Sequence, residues 1–349
     1  MNKHISARIT SFLKVVTVQS MFFIQITSCQ GYHHEKYDWV AAIGAPEEYP
    51  ITIINGQFVS NDGYSPYLPT SDFSNNGWGN SGGVMVVGPD KKPVPDSLNV
   101  KWFSFAENKL YIGNFPLSKD RLNELLKEGY WDKDINSRQD YDFFTLGFSP
   151  GGYIVLWLSG GVRQVEVCNF KGREIDLNKH NLGRDRAYLL DSQFVKESYE
   201  RHVAKALSDS VAKRGIQYRR FKEWQTRYNW HYKVNSEDVN YHYLLPLYFN
   251  SESEEIFNEI LTNNPFEQRA VPKEIFVVWF DKKKQKMSTN IVFDEDEIRS
   301  AFAAILKNDR GELYFKVDPN EYTVQVSLKS GDKVTNLVKQ KSETSLMPQ

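Results

Sequence analysis

The sequence predicts an α+β protein whose body is built mainly of antiparallel β-sheet, with a few helices. Two observations carry this prediction: short runs with a two-residue hydrophobic period, and turn signals that join neighbouring runs into hairpins. Residues 95–118 are the clearest case, with a strand, a turn at Glu107-Asn108, a second strand and a helix start at Ser118. Hairpins arranged around single helices are typical of α+β folds.

Further strands are predicted where apolar runs are bounded by Gly, Pro or Asn. They cover 37–43, 51–59, 84–87, 141–148, 153–158, 163–170, 275–280, 289–293, 313–317, 322–328 and 334–338. The helical spacing of apolar residues predicts helices after Ser118, over 192–214, over 254–261 and after Asp294. Residues 60–80 are rich in Gly, Ser, Asn and Pro, so they are expected to form a long surface loop.

The order strand, strand, helix, strand, strand, strand occurs twice, once after residue 95 and once after residue 272. The proposed correspondences are Trp102 with Trp279, Phe115 with Phe293, Leu122 with Ile298, and hairpin 153–158 with 322–328. Identity between the halves is very low, so chance agreement between two α+β segments explains the pattern as well as a duplication does. The sequence leaves both explanations open.

The sequence predicts six segments along the chain. They are a lipoprotein signal peptide (1–28), a lipidated Cys29 with a tether (29–36), a first β-rich α+β half (37–190), a helical and aromatic-rich connection (191–265), a second α+β half (266–338) and a disordered tail (339–349).

The N-terminus has the features of an export signal. Three basic residues within positions 1–14 precede an apolar run at 15–26, which is too short to span a bilayer comfortably. The run ends in Ile26-Thr27-Ser28-Cys29, which resembles the lipobox of bacterial lipoproteins. That resemblance implies a lipid on Cys29, and the alternative is an ordinary signal peptide with an incidental cysteine.

Composition and charge narrow the function classes. The 349 residues are 40% hydrophobic and 14% aromatic, which is typical of a folded body. The formal net charge of −1 becomes −4 when residues 1–28 are removed, so no overall field recruits nucleic acid. Cys168 is the second of two cysteines and lies in an apolar run, where a buried, inert thiol is expected.

Short motifs are spread along the first half of the chain. They are Tyr37-Asp38-Trp39, Ala45-Pro46, Tyr49-Pro50, Gly77-Trp78-Gly79, Pro95-x-x-Leu98-x-Val100-x-Trp102-x-Ser104, Glu107-Asn108-Lys109, Tyr111-x-Gly113, Gly147-x-x-Pro150-Gly151-Gly152 and Trp157-Leu158. Together they resemble the bacterial lipoprotein family called domain of unknown function 2931. The resemblance implies an envelope lipoprotein without an established activity, and some members of the family look like immunity proteins for secreted lipase effectors.

The resemblance also implies a scaffold role for seven of the motif residues. They are Trp39, Trp78, Trp102, Ser104, Glu107, Gly152 and Trp157. Residues 192–249 carry no motif of this family, so their role is left open.

Ser81 is the one candidate nucleophile. Residues 79–83 match G-x-S-x-G, but a nucleophile elbow needs a strand before the serine and a helix after it. Here a loop precedes Ser81 and the apolar run 84–87 follows it. A glycine-rich turn is therefore the favoured interpretation, and an envelope hydrolase using Ser81 is kept as an alternative.

No metal or cofactor is expected from the motifs. The histidines His33, His34, His180, His202, His231 and His242 do not form H-E-x-x-H or a paired zinc spacing, and neither a P-loop nor a Rossmann fingerprint occurs. The acidic residues Asp132, Asp134, Asp140 and Asp142 could hold calcium or act as a carboxylate pair, but a solvated turn explains them.

The aromatic and basic tract at 214–233 has two interpretations. It is either a core-lining segment with arginines at its edge, or a surface that binds a partner or glycan. The candidate surface residues are Arg219, Arg220, Trp224, Tyr228 and Trp230.

The sequence thus favours a lipid-anchored, non-enzymatic binding or structural protein of the bacterial envelope. Gln30 after the lipobox differs from the aspartate that retains lipoproteins in the inner membrane, so by analogy the outer membrane is favoured. The alternatives are an immunity protein that neutralises a secreted lipase-type effector and a Ser81 hydrolase. The expected partners are the membrane and a protein such as that effector, and the ligand and oligomeric state are left open.

Overall fold

Strands dominate the computed structural model, which describes residues 35–70, 73–180, 182–235, 239–261 and 263–347. The strands of the first part are β1 (Lys36–Asp38), β2 (Val40–Gly44), β3 (Ile51–Val59), β4 (Gly83–Met85), β5 (Lys91–Pro93), β6 (Ser97–Ser104), β7 (Lys109–Pro116), β8 (Tyr130–Asp132), β9 (Ser137–Gln139), β10 (Phe143–Ser149), β11 (Tyr153–Gly160), β12 (Arg163–Lys171) and β13 (Arg173–Ile175).

The remaining elements complete the described chain. The strands of the second part are β14 (Tyr228–Val234), β15 (Asn240–Tyr248), β16 (Ile256–Phe257), β17 (Glu267–Arg269), β18 (Pro272–Phe280), β19 (Lys286–Val292), β20 (Arg310–Asp318), β21 (Thr323–Ser330), β22 (Lys333–Leu337) and β23 (Lys341–Leu346). The helices are α1 (Lys119–Glu128), α2 (Ser192–His202), α3 (Lys205–Arg214), α4 (Arg220–Glu223), α5 (Asn258–Leu261) and α6 (Glu295–Ile305). The fold is therefore α+β and sheet-rich, as predicted.

Two sheets and one helix form a first sandwich. One sheet has the order β12-β11-β10-β2-β4 and the other the order β13-β7-β6-β3. Their inner faces share one core, in which Trp39 contacts Phe58 and Trp102 contacts Phe148 across the two sheets. Helix α1 adds Leu122 and two further leucines to this core. All neighbouring strands are antiparallel except β2 and β10.

A second sandwich follows from β14 onward. Its sheets have the orders β17-β14-β20-β21-β22 and β16-β15-β18-β19-β23, and a second core fills the space between them. Helix α6 begins after Asp294, whose side chain accepts a hydrogen bond from the Glu297 amide at 2.9 Å, and it buries Ile298 and Phe302. Both sandwiches belong to one compact unit that runs from Tyr37 to the end of the chain.

The two sandwiches have the same topology. The order β12-β11-β10-β2-β4 corresponds element by element to β22-β21-β20-β14-β17, and the parallel pair is in the same place in each. The order β13-β7-β6-β3 corresponds in the same way to β23-β19-β18-β15. Along the chain, α1 comes between the β6–β7 hairpin and strands β10 to β12. In the same way, α6 comes between the β18–β19 hairpin and strands β20 to β22. Agreement at this level supports duplication over chance.

Individual residues agree as well. A buried tryptophan lies near the start of the parallel strand of each sandwich: Trp39 directly precedes β2, and Trp230 is the third residue of β14. A β-bulge follows Ile53, the cross-strand partner of Trp102, and another follows Tyr241, the partner of Trp279. Bulges at matching positions are features that a fold keeps rather than accidents. The sequence-based pairing of Trp102 with Trp279 therefore agrees with the register.

One predicted correspondence is wrong by two residues. Counted from the helix caps and from the hairpin register, Phe115 matches Ile291, whereas Phe293 falls at the position of Leu117. The sequence comparison matched two phenylalanines by identity. The strand register instead matches positions with equivalent cross-strand partners, since Phe115 pairs with Leu98 and Ile291 pairs with Ile275.

The predicted segment boundaries also differ from the structure. The region 191–265 was expected to be a helical connection, but 228–257 contains strands β14, β15 and β16 of the second sandwich. Its aromatic residues alternate because Trp230, Tyr232 and Tyr241 enter the core. The predicted tail includes β23, an edge strand that pairs with β19, so residues 341–346 are not disordered.

Two predicted helices and one strand are also revised. The helix expected over 192–214 is two helices, because buried Val203 adopts an extended conformation between α2 and α3. The helix expected over 254–261 is reduced to α5, and strand β16 precedes it. The apolar run 84–87 was expected to be a strand, but β4 covers only Gly83–Met85 at the edge of its sheet, and Val86 is 80% exposed. At the start of α1, the Ser118 side chain makes no capping hydrogen bond.

No helix among the described residues is long and apolar enough to cross a membrane.

Candidate functional site

The outer face of the sheet β13-β7-β6-β3 is only half covered. Phe103, Leu110 and Ile175 lie under the apolar side chains of Leu182, Leu189 and Val195, which come from the segment after β13. The rest of this face is open and forms a groove of about 710 Å³. We call it the basic groove, and its lining residues are Asn55, Gln57, Tyr67, Asn99, Val100, Lys101, Ile112, Gly113, Asn114, Phe115, Lys171 and Arg173.

Strand pairing arranges the floor of the basic groove in two rows. Residues paired directly across neighbouring strands point to the same face of a sheet. One row consists of Asn55, Lys101, Ile112 and Arg173. The next row consists of Gln57, Asn99 and Asn114. A cation-bearing row therefore lies beside a row of carboxamides.

The charge of the basic groove is uniformly positive. Lys101, Lys171 and Arg173 line it, and no Asp or Glu is among the lining residues of the described chain. Within that chain none of the three cations has an ion-pair partner. Glu174, the neighbour of Arg173 in β13, forms its ion pair with Lys109 at 2.8 Å. Three uncompensated cations on one concave surface favour an anionic ligand.

The carboxamides are available for a ligand. Asn55, Asn99 and Asn114 are exposed, and within the described residues their side chains make no hydrogen bond. Gln57 is oriented by its donation of a 2.9 Å hydrogen bond from Nε2 to the Ser65 carbonyl. Tyr67 forms a backbone bridge with Gln57, and its side chain remains 57% exposed beside the groove.

The second sandwich provides an internal comparison for this face. By register, its residues at the positions of Asn55, Gln57, Asn99 and Lys101 are Tyr243, Leu245, Phe276 and Val278. These four residues form an apolar cluster with Phe257 and Met347. The same fold thus accepts apolar side chains at these positions. The polar and basic set in the first sandwich is therefore not a requirement of the fold.

Ser81 lies away from any catalytic group. Its hydroxyl is 2.7 Å from the Thr145 hydroxyl, which in turn is 2.8 Å from that of Ser159. Among the described residues, no histidine or carboxylate contacts Ser81. The serine therefore belongs to a hydroxyl chain that ties the turn before β4 to the neighbouring strands.

The predicted aromatic and basic surface is mostly buried or half-buried inside the protein. Trp230 is fully buried and donates its indole N–H to the Arg269 carbonyl at 3.2 Å, so it cannot contact a ligand. Trp224 and Tyr228 are half-buried against the second core. The prediction is wrong for Trp230, because alternate residues of β14 face inward. Arg219 is exposed.

Arg220 connects the two sandwiches. Its guanidinium pairs with Glu48 of the first at 3.3 Å and with Glu295 of the second at 2.7 Å. The Trp224 indole N–H also donates to Glu295, at 2.7 Å. Partial burial acts to raise the pKa of Glu295, but the hydrogen bonds and charges of Arg220, Trp224 and Arg299 hold that pKa below its ordinary value.

Replacing Glu295 by glutamine is expected to lower the free energy of unfolding at pH 7 by about 1 kcal/mol. Because the folded pKa is depressed, this stabilisation is present above the unfolded pKa near 4.5 and disappears as the pH falls through the folded pKa. Urea titrations at pH 7 and at lower pH should show the difference from the unsubstituted protein shrinking in acid. Asp296→Asn, in the same helical turn but exposed, is the control. A difference that is the same at every pH would contradict the assignment.

Glu107 connects the glycine turn at residues 150–152 to the β6–β7 hairpin through hydrogen bonds. One carboxylate oxygen accepts from the Tyr111 hydroxyl at 2.8 Å and from the Gly151 amide at 3.0 Å. Burial, together with the charge of Glu107, raises the pKa of Tyr111. Trp102 stacks on the Tyr111 ring. The residues of this motif therefore support one another.

Gly152→Ala is expected to lower the free energy of unfolding by about 2 kcal/mol. Gly152 has a φ of +75°, and an added Cβ would lie 2.8 Å from Cδ1 of Tyr111 and 2.9 Å from the Gly172 carbonyl oxygen. Both the conformation and the space therefore favour glycine. Thermal or urea unfolding measures the loss. Gly183→Ala should lose about half as much, because Gly183 has a similar φ but an added Cβ there would meet no atom of the described residues within 4 Å.

The other motif residues lie in the cores or at the joint between the sandwiches. Trp39 is fully buried and Ser104 is 3% exposed. Trp78 packs edge-on against Trp157, whose indole N–H donates to the Asn250 carbonyl at 3.0 Å.

A charged seam joins β12 to the segment that follows β15. Glu254 accepts hydrogen bonds from Arg163 and Arg269, each at 3.3 Å, and from the Tyr248 hydroxyl. In the same region, burial raises the pKa of Glu166, and the nearby Glu252 adds to this effect. Burial also raises the pKa of the Cys168 thiol to about 12. The ion pairs of Arg163 with Glu254 and of Glu166 with Arg227 link the two sandwiches.

Within the described chain, no group of three or more His, Cys, Asp or Glu residues is placed to hold a metal ion. Asp132 accepts backbone hydrogen bonds from Asp134 and Ile135 as part of a turn. Cys29, His33 and His34 lie outside the described residues, so the predictions made for them stay predictions.

Sequence comparison matches the first sandwich to a known family model. The model described as a protein of unknown function (DUF2931) matches residues 25–218. This range includes the basic groove, and it ends before β14. No curated protein and no solved structure matches the chain significantly. The second sandwich has the same topology as the first, but it lies outside the matched residues.

Proposed function

The chain belongs to the family described as proteins of unknown function (DUF2931), and we propose that it is a non-enzymatic binding protein of the bacterial envelope. In this proposal a lipid on Cys29 anchors the protein, and the basic groove receives an anionic ligand. The lipobox-like sequence before Cys29 supports the anchor. The absence of a histidine or carboxylate at Ser81, within the described residues, favours binding over hydrolysis.

The basic groove carries this proposal. It combines Lys101, Lys171 and Arg173 with four carboxamides, and no carboxylate of the described chain lines it. The protein has a net charge of −1, so the groove is a local positive region on a slightly acidic body. Such a concentration of one sign of charge raises the local concentration of an oppositely charged ligand.

The test is calorimetric titration of the full chain with tripolyphosphate, triglutamate blocked at both termini, and trigalacturonate at low salt. At least one of these anions should bind, and Lys101→Glu with Arg173→Glu should weaken that binding by at least about tenfold. Lys283→Glu reverses an exposed charge in a turn of the second sandwich and should leave the affinity unchanged. If none of the anions binds, or if the double reversal has no effect, the proposal is wrong.

The anchor is tested separately. Cys29→Ala should move the protein out of the membrane fraction, because the proposed lipid would have no attachment site. Unchanged membrane fractionation of this variant would contradict lipidation.

A second candidate function is immunity against a secreted lipase-type effector. The observation that favours it is the open, carboxylate-free surface of the basic groove, which acidic side chains of a protein could pair with. The effector should be the product of a neighbouring gene. The purified chain should bind that product and inhibit its activity, and Lys101→Glu with Arg173→Glu should reduce both. Failure to bind or inhibit would remove this candidate.

A further inference from the structure

We infer that the basic groove recognises an acidic oligosaccharide. The inference rests on the proposed function, and it adds the chemical class of the ligand. The cation row would hold the carboxylate or phosphate groups, and the amide row would hydrogen-bond the sugar hydroxyls.

The amide row is the first argument. Gln57, Asn99 and Asn114 lie side by side across three neighbouring strands. A carboxamide offers a donor and an acceptor from one planar group, and each sugar hydroxyl is likewise both donor and acceptor. A row of carboxamides therefore matches a row of hydroxyls, whereas a simple inorganic anion uses donors only. The amide oxygens would face such an anion without a partner.

The relation between the rows is the second argument. Residues two apart along a strand are about 7 Å apart, so the cation row lies about that far from the amide row. Lys101 and Arg173 are themselves two strand spacings apart, or about 10 Å. A ligand that engages both rows and both ends must be an extended molecule with several charges and hydroxyls. A single phosphate would occupy only one end of the groove.

An aromatic ring beside the groove is the third argument. Tyr67 lines the cavity and is 57% exposed. An aromatic face carries negative partial charge, which attracts the weakly positive C–H groups of a sugar ring. A protein partner would instead be expected to fill a deep central pocket with an apolar or aromatic anchor, and the floor here is polar.

The second sandwich supports the assignment as a natural comparison. At the position of Asn114 it has Asn290, whose side chain donates a 2.7 Å hydrogen bond to Glu274. That amide is therefore engaged within the protein. Within the described residues, open amides and open cations occur together on this face in the first sandwich but not in the second.

The experiment compares probes of equal charge. Trigalacturonate carries three carboxylates and many hydroxyls, and triglutamate with both termini blocked carries three carboxylates on a peptide. Trigalacturonate should bind the full chain at least about tenfold more tightly than the blocked triglutamate, since it alone engages the amide row. Its methyl ester, which lacks the charges, should bind at least about tenfold more weakly than the acid.

Variants separate the two rows. Asn99→Ala with Asn114→Ala should weaken trigalacturonate binding by about tenfold and leave triglutamate binding unchanged. Asn290→Ala, the matched substitution in the second sandwich, should change neither. Unfolding curves of the double variant should match those of the unsubstituted chain, because the two exposed amides make no internal hydrogen bond within the described residues.

The outcomes distinguish the inference from the function on which it rests. Equal affinity for trigalacturonate and triglutamate, with both lost in Lys101→Glu/Arg173→Glu, would overturn the saccharide assignment and keep anion binding. Equally tight binding to vesicles of phosphatidylglycerol, which is anionic but lacks a sugar chain, would also overturn it. No binding of any anion would overturn both.

Discussion

Alanine in place of Trp279 is expected to lower the free energy of unfolding by about 4 kcal/mol, and alanine in place of Trp102 by a similar amount. Both side chains are fully buried and lie at matching positions in the two sandwiches. Trp279 donates its indole N–H to the Thr289 hydroxyl at 3.0 Å, and Trp102 stacks on Tyr111. Each substitution leaves a large cavity and removes these contacts.

Urea unfolding followed by circular dichroism measures both losses. Trp131→Ala is the control, because Trp131 is 58% exposed and its loss should cost less than about 1 kcal/mol. If Trp102→Ala were strongly destabilising and Trp279→Ala were not, the two residues would not be structural equivalents. The account of a duplicated sandwich would then be wrong at this position.

Glu254→Ala is expected to lower the free energy of unfolding by about 3 kcal/mol. The Glu254 side chain is 17% exposed, and its partner Arg269 is 9% exposed. Arg163 on the first sandwich pairs with the same carboxylate. Removing Glu254 leaves Arg163 without an ion pair among the described residues, and it leaves Arg269 with only the half-exposed Glu267. Breaking an ion pair that is largely shielded from water is costly, because the remaining charge stays desolvated.

The comparison for this variant is an exposed ion pair. Glu124→Ala breaks the pair of Glu124 with Arg121 on the surface of α1, and it should cost less than about 0.5 kcal/mol. Both variants are compared with the unsubstituted chain by urea unfolding at neutral pH. A loss of less than about 1 kcal/mol for Glu254→Ala would show that the seam does not hold the sandwiches together.

The parts of the fold that sequence reasoning predicted are local. The hairpin and helix at 95–118 could be read from alternation, a turn and a cap position, because these depend on neighbouring residues. The break between α2 and α3 could not, since Val203 is buried in an extended conformation there, which the helical spacing of its neighbours does not indicate. The edge strand β23 was missed because its polar residues bury little and are held by pairing with β19.

The basic groove was missed for a similar reason. Asn99 and Lys101 alternate with the core residues of β6, so each is ordinary for the outward side of a strand. Only the pairing of four strands brings them beside Asn55 and Arg173. The aromatic tract at 214–233 resembled a binding surface because its aromatic and basic residues lie close together along the chain. Trp230 and Tyr232 instead belong to the second core, and Arg220 connects the two sandwiches.

The duplication clarifies which features are structural and which are specific. The bulges after Ile53 and Tyr241 occur in both sandwiches and therefore belong to the fold. The outer face of the sheet β13-β7-β6-β3 is basic, whereas the corresponding face of β23-β19-β18-β15 in the second sandwich is apolar. A surface that departs from the shared pattern while the core keeps it is where a function of this chain is expected.

Ligand binding in the basic groove is tested most directly by nuclear magnetic resonance of the side-chain amides during titration with trigalacturonate. Saturable shifts are expected for the amides of Asn55, Gln57, Asn99 and Asn114. No shift is expected for Asn290, the matched amide of the second sandwich. Shifts that avoid these four amides, or that involve Asn290 equally, would contradict ligand binding in the basic groove.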